Sequence, residues 1–468
     1  MTQIQRSLVG LVAMLVLAGG LGYAAWNSKH AAEEKTQADE KAAQLLTFDP
    51  ETVTALTVTA KEQTTVMIKT ADGWRITAPL QLAGDAETIR SVLTRLSTVR
   101  RKSVVDEHPT DLAKYGLDKP VARLSVTWPG GSSELVLGAM NDFANGEYAR
   151  LGGNDAVLLL EGNHQPVLAR GTFDLRDKRL VDVDPAQVKT IDVDAPPDRY
   201  TLKRDVDGWK VIAPKSEKAD PTVVENVLGV ALNARANAIA NESDDALDTY
   251  GLGTPMAAIT VTLADGKSVA LGFGQASPNG EKREYAHASS GHTIAQVPLD
   301  AHARLHQSLE ALEDKTVSHV ARDEVAAMQF TTPKGEKVLL QRKHEKNDAG
   351  ADVDVWTVLA PKPGPAKKWK MAQLLGLFAN LKGTAVVGQA PADLAKFGLD
   401  KPTREASAQD GSGKELASVR FGKEDDGKVY AVADGDPRIF AVETQKANQF
   451  PNSGDDVIDA PPATTAKN

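Results

Sequence analysis

Two periodicities of apolar and polar residues organise the chain. Leu56-Thr57-Val58-Thr59 and Thr65-Val66-Met67-Ile68-Lys69 alternate, a turn follows at Ala71-Asp72-Gly73, and Trp74 opens a further short segment, WRITAP. Period-two segments joined by tight turns predict a half-buried antiparallel sheet. Ile89, Val92, Leu93, Leu96 and Val99 then fall at helical spacing behind Asp85, whose short acidic side chain suits a helix N-cap. Alternation returns at Leu124, Val126 and Trp128, then a Pro129-Gly130-Gly131 turn leads into Leu135-Val136-Leu137-Gly138. A sheet with one amphipathic helix laid on it is an α+β unit.

The whole pattern occurs three times. Trp74, Trp209 and Trp356 open WRITAP, WKVIAP and WTVLAP, which end at Pro79, Pro214 and Pro361. An aromatic-Gly-Leu triplet stands 41 residues after each Trp: Tyr115-Gly116-Leu117, Tyr250-Gly251-Leu252 and Phe397-Gly398-Leu399. Equal spacings of this kind mark tandem copies of one structural unit. The second helix starts at Asp220-Pro221 and carries Val224, Val227, Leu228 and Ala231. The third carries Met371, Leu374, Leu375, Phe378 and Leu381 behind Lys367-Lys368-Trp369-Lys370, with no acidic cap. Val269-Ala270-Leu271-Gly272 and Val419-Arg420-Phe421-Gly422 read as the counterparts of Leu135–Gly138, and Tyr148, Tyr285 and Tyr430 follow them. Asp177-Lys178 and Asp314-Lys315 close the first two copies. The expected boundaries are 48–180, 181–316 and 317–451, with a charged stalk over 27–47 and a disordered tail over 452–468.

The most repeated motif has a structural explanation. Gly116, Gly251 and Gly398 suit the left-handed residue just past a short helix, where a side chain costs energy. Leu117, Leu252 and Leu399 would fold back on Leu112, Leu247 and Leu394 to close a Schellman cap, and Pro120, Pro255 and Pro402 stop the helix resuming. The triplet is expected to be a cap and not a site.

The N-terminus bears on compartment. Residues 8–26 form nineteen uncharged, mostly apolar positions, about 28 Å as a helix, close to the hydrocarbon thickness of a bilayer. The run is longer than the apolar region of a secretory signal, so a retained single-pass anchor is the reading; a cleaved signal peptide, suggested by the small residues AGGLGYAA, is the alternative. Arg6 before the run places the N-terminus in the cytoplasm and, in a bacterium, the body in the periplasm. The chain has 468 residues, a formal charge of −9 and no cysteine. Thiol chemistry, disulfides and cysteine-ligated metals are excluded, and no nucleic-acid partner is expected of an acidic chain.

Candidate chemistry is sparse. His302 and His306 would share a helix face, but Ala303 stands where a zinc peptidase needs Glu, and an exposed helix face is the expectation. Glu242, Asp244 and Asp245 lack the central Gly of a calcium loop. Glu424-Asp425-Asp426-Gly427 reads as a turn, Gly272-Phe273-Gly274 lacks the Gly-Lys-Ser/Thr of a phosphate loop, and Arg100-Arg101-Lys102 is a solvated run after a helix. No catalytic residue, cofactor or metal ligand is assigned.

The Trp-x-hydrophobic-x-x-Pro element, the aromatic-Gly-Leu-Asp-x-Pro element and the Asp-Lys closure resemble the bacterial domain-of-unknown-function family 4340 over nearly all of residues 48–450. The resemblance implies tandem copies behind an N-terminal anchor and an association with ABC-type export systems related to gliding-motility components; it brings no catalytic residues. The expected architecture is α+β, three tandem repeats of a mostly antiparallel sheet with a packed amphipathic helix behind one transmembrane helix. The expected function is a non-enzymatic envelope protein that binds transporter or other envelope proteins. The rival reading is a periplasmic hydrolase or polysaccharide-binding protein with a site between repeats.

Overall fold

The computed structural model describes residues 43–278, 282–346 and 352–459. The expected anchor over 8–26, most of the stalk and the end of the tail lie outside the described residues. Among those residues no helix is long and apolar enough to cross a membrane.

Copy one is a nine-stranded sheet built from β1 (Ala55–Ala60), β2 (Gln63–Thr70), β3 (Gly73–Ala78), β4 (Leu82–Ala83), β5 (Arg101–Asp106), β6 (Ala122–Trp128), β7 (Gly131–Asn141), β8 (Gly146–Leu151) and β9 (Val157–Glu161). Spatial order is β4-β3-β2-β1-β6-β7-β8-β9-β5, and every pairing is antiparallel. Lys61 and Glu62 link β1 to β2 with positive φ at both positions, the two-residue turn whose twist matches a hairpin. The period-two pattern puts Leu56, Val58, Leu124 and Val126 on one buried face. The helix Ala86–Ser97 lies on that face through Ile89, Val92, Leu93 and Leu96, and its N-terminus is capped by the Asp85 carboxylate, which accepts from Thr88 N at 2.8 Å.

Copies two and three repeat the same strand order, with covering helices Pro221–Leu232 and Lys368–Ala379. In each copy the Pro that ends the Trp element follows a cis peptide bond: Ala78-Pro79, Ala213-Pro214 and Ala360-Pro361. Each sheet also ends at blunt edges. One edge strand is only two residues long, and the opposite one is interrupted by bulges, as between Arg101 and Ser103 or between Val386 and Gly388. Short or bulged edges keep identical sheets in one chain from pairing with each other.

The chain divides into two compact units, residues 1–179 and 180–468. The first holds copy one. In the second, copies two and three are joined by side chains: Arg438 Nη1 donates to Asp314 O at 2.6 Å, and Lys382 Nζ meets Asp220 Oδ2 at 2.7 Å. The ribbon in which Thr316–Ser318 pairs with Leu381–Lys382 belongs to copy three, with Val317 in its core.

Several expectations change. The covering helix of copy three ends at Ala379, and Leu381 belongs to the short ribbon with Thr316–Ser318, because Asn380 leaves the helix there with φ −157°. Residues 44–47 are not stalk, since Leu45 N bonds Val99 O and Leu46 is buried in the first core. The disordered tail does not begin at 452. Gly454–Asp456 form a turn held by the Asp456 carboxylate, Val457 is buried, and Lys367 N bonds Val457 O. This is the closing element that the third copy lacks by sequence, equivalent to the Asp85 N–Leu175 O and Asp220 N–Leu312 O bonds of the other two. Lys367, at the N-cap position of that helix, offers no side-chain cap and reaches instead to the Asp455 and Asp456 carbonyls. Arg101 and Lys102 are exposed, as expected of a solvated run after the helix, and lie in the edge strand β5.

Candidate functional site

The aromatic-Gly-Leu triplets sit at the ends of short turns beneath the second half of each sheet. Gly116, Gly251 and Gly398 have φ of 64°, 69° and 69°. Leu117, Leu252 and Leu399 donate their N–H to Leu112, Leu247 and Leu394 O at 3.1, 2.9 and 2.8 Å, the six-to-one bond of a Schellman cap. The aromatic member packs on the tyrosine of the eighth strand: Tyr115 on Tyr148, Tyr250 on Tyr285 and Phe397 on Tyr430, with ring centroids 5.1, 4.8 and 4.5 Å apart. Each pair anchors a small second core on the face opposite the helix. Pro120, Pro255 and Pro402 follow the caps, while Trp74 and Trp356 lie in the main cores. Trp209 packs at the edge of the second core with Arg204 over its ring.

A second glycine completes the motif, and here the match between copies read from sequence slips by two residues. A Cβ on Gly138, Gly274 or Gly422 would stand closer than 3.0 Å to the carbonyl oxygen of Tyr115, Tyr250 or Phe397. The counterpart of Gly138 is therefore Gly274, not Gly272, which lies against Pro255 instead. Gly272-Phe273-Gly274 is strand, with Phe273 fully buried.

The chemistry that distinguishes the copies lies one residue before each tyrosine. Alternation turns Tyr148 to the small core and its neighbours Glu147 and Ala149 to the helix-covered face. Glu284 and Val429 occupy the same place in Arg283–Ala288 and Lys428–Ala433. Two copies thus bury a carboxylate where the third buries a valine. Glu147 is fully buried; Oε2 accepts the His164 N–H at 2.8 Å, and Oε1 has no hydrogen-bond partner. Burial pushes the Glu147 carboxyl above the usual carboxylate range, against the pull of the His164 N–H and the Gln165 side chain. Burial likewise holds His164 below the usual imidazole range. Above this glutamate the closing turn Gln165–Leu168 opens a cleft of about 500 Å³ lined by Lys61, Val121, Gln165, Pro166, Ala169 and Arg170.

In copy two the equivalent turn, Ala301–Leu305, is a 3₁₀ turn rather than the expected exposed helix. His302 is mostly buried and its Nδ1 meets Glu284 Oε2 and Oε1 at 2.9 and 3.0 Å, while Asp300 N and His302 N also donate to that carboxylate. His306 Nδ1 meets Asp198 Oδ2 at 3.1 Å. Tyr200 OH donates to Leu305 O at 2.9 Å and fixes the turn to the sheet; burial raises this phenol.

The remaining sequence candidates stay apart. Asp244 pairs with His292 at 3.1 Å, Glu242 accepts from Thr293, and Asp245 N bonds the Ser243 hydroxyl. Asp426 and Gly427 form a two-residue hairpin turn with positive φ at both. Lys102 Nζ donates to Ala144 O at 2.8 Å. Among the described residues no group of three or more His, Asp or Glu is placed to hold a metal ion.

A family model described as "Domain of unknown function (DUF4340)" matches residues 74–252, 209–355 and 356–466. The chain belongs to this family. Each DUF4340 segment begins at a repeat tryptophan, so the family unit is phased later than the sheet, which starts two strands upstream. No curated protein matches the chain. A solved structure titled "Ca2+-stabilized adhesin helps an Antarctic bacterium reach out and bind ice" aligns at 9% identity over 86% of this chain and 85% of that one, with a TM-score of 0.08, and carries no argument.

Proposed function

We propose that this DUF4340 chain is a non-enzymatic, membrane-anchored envelope protein of the bacterial inner membrane. Residues 8–26 span the membrane once, the N-terminus is cytoplasmic, and the three periplasmic sheets present surfaces to an ABC-type transporter or another envelope protein. The observation that supports this reading most is the use to which the repeated residues are put. Gly116, Gly251 and Gly398, with the glycines at 138, 274 and 422, serve backbone conformation and close approach, which is what a reused scaffold needs. The closing turns also differ between copies, with Gln165 and Ala169 bordering a cleft in copy one where copy two has His302 and His306, and surface segments of this kind diverge without disturbing the main cores. The transporter as partner follows from the family resemblance. Affinity purification of the intact protein from detergent-solubilised membranes, with mass spectrometry of what accompanies it, tests the proposal; a form lacking residues 1–26 is the comparison. Stoichiometric transporter subunits support it, and recovery of the protein alone counts against it.

A further inference from the structure

We propose that the closing turn of copy two binds one divalent transition-metal ion through His302 and His306. The two imidazoles pack side by side, with ring centroids 5.7 Å apart and planes inclined at 71°. Each Nδ1 lies on a carboxylate, Glu284 at 2.9 Å and Asp198 at 3.1 Å. An ionised carboxylate only accepts, so each Nδ1 carries a proton and Nε2 is the nitrogen left for ligation, with the metal displacing any proton there. A histidine oriented by a carboxylate on its far nitrogen is the usual outer shell of a metal site, fixing ring direction and raising ligand basicity.

The spacing fits. With metal–nitrogen bonds of about 2.0–2.1 Å, an ion sits about 3.2 Å from each ring centroid, so two imidazoles on one ion hold their centroids about 5–6 Å apart. The protein supplies two nitrogens, so water completes the coordination and the site is open. Imidazole selects zinc, copper or nickel over magnesium or calcium, which prefer oxygen. The turn is also held in place independently of any ion: Leu305 is buried and its carbonyl takes the Tyr200 hydroxyl.

The other copies lack the pair. Aligned on the buried last residue of each closing turn, Leu168, Leu305 and Ala447, copy one has Gln165 and Ala169 where copy two has His302 and His306, and copy three has Thr444 and Asn448. A fold position that is an open cleft in copy one carries two anchored imidazoles in copy two.

The test uses the full-length protein in detergent, without a histidine tag and stripped with chelator, titrated with Zn²⁺ and with Ni²⁺ by isothermal calorimetry. The absence of cysteine removes thiolate competition. His302→Gln and His306→Ala install the residues copy one already tolerates, and thermal unfolding confirms that both variants fold. The expected result is saturable one-to-one binding by the parent protein, lost in both variants, weakened about tenfold or more by Asp198→Asn and unchanged by His164→Ala. Magnesium and calcium should give no heat. Absence of saturable binding by the parent, or equal affinity in His302→Gln and His306→Ala, overturns the site. Either result is independent of whether transporter subunits copurify.

Discussion

Replacing Gly274 with Ala tests the cap argument quantitatively. A Cβ there falls closer than 3.0 Å to the Tyr250 carbonyl and at 3.0 Å from Leu252 Cγ. The obstruction is backbone, which cannot rotate away, so either the strand or the cap must retreat and loosen both the Leu252 N–Leu247 O bond and the Tyr250–Tyr285 contact. Overpacking of this kind costs about 1–3 kcal/mol, and the obstructed backbone puts this case at about 3 kcal/mol. Two glycines in the same copy separate the causes. Gly266 has φ of 87° and open space where a Cβ would stand, so Gly266→Ala carries only the left-handed penalty of about 1–2 kcal/mol. Gly251→Ala adds a 3.0 Å approach to Gln275 N to that same penalty. Urea unfolding at neutral pH, followed by tryptophan fluorescence, should rank the losses Gly274→Ala above Gly251→Ala above Gly266→Ala. A Gly274→Ala variant within about 0.5 kcal/mol of the parent would refute the reasoning, because that is the range of an ordinary surface substitution.

Three further outcomes follow from the same geometry. Glu147 has a raised carboxyl through burial, so the folded state holds its proton to higher pH than the unfolded chain; its contribution is fully present below the unfolded value, and stability falls as pH rises through the folded one. Glu147→Gln should remove that decline and stabilise the first unit by about 1 kcal/mol at pH 7 but not at pH 4, measured by urea unfolding. At the staple between copies two and three, burial raises Asp220, but bonds from Lys382 and Thr222 N outweigh it and leave the carboxyl low, so its contribution is present at neutral pH and lost as pH falls through the folded value. Asp220→Ala should cost about 1–2 kcal/mol through the lost helix cap and should raise proteolytic cleavage near residues 314–318. Trp74→Ala and Trp356→Ala, at 8% exposure, should each cost about 3–5 kcal/mol, whereas Trp369→Ala, at 63%, should change stability by less than about 0.5 kcal/mol in thermal melts.

What could be read from sequence depended on the range of the interaction. The caps were legible because Gly116 and Leu117 answer to Leu112 only a few residues away, and the helix start at Asp85 because its partner is Thr88. Gly272 and Gly274 cannot be told apart by pattern because both alternate with Phe273, and only the Tyr250 carbonyl on another element separates them. Glu147 and Glu284 stand beside the repeat tyrosines, and their only signal in the sequence is a charged residue shared by copies one and two and replaced by Val429 in copy three. His302 read as an exposed helix face because Glu284, eighteen residues earlier on another strand, is what draws it inward. The closing turn at 454–459 hides in a polar, proline-flanked stretch, and only Val457 and Ile458 mark it as part of a core.

Hydrogen exchange of the full-length protein, resolved to the amides of Leu117, Leu252 and Leu399, tests most directly whether the repeated triplets are caps. Each amide donates to a carbonyl five residues earlier and each side chain is buried. All three should exchange as slowly as the neighbouring strands of their own sheets, because opening them requires unfolding the small cores. Exchange of any of them at the rate of an unstructured peptide would contradict the cap and make the triplet a candidate recognition site again.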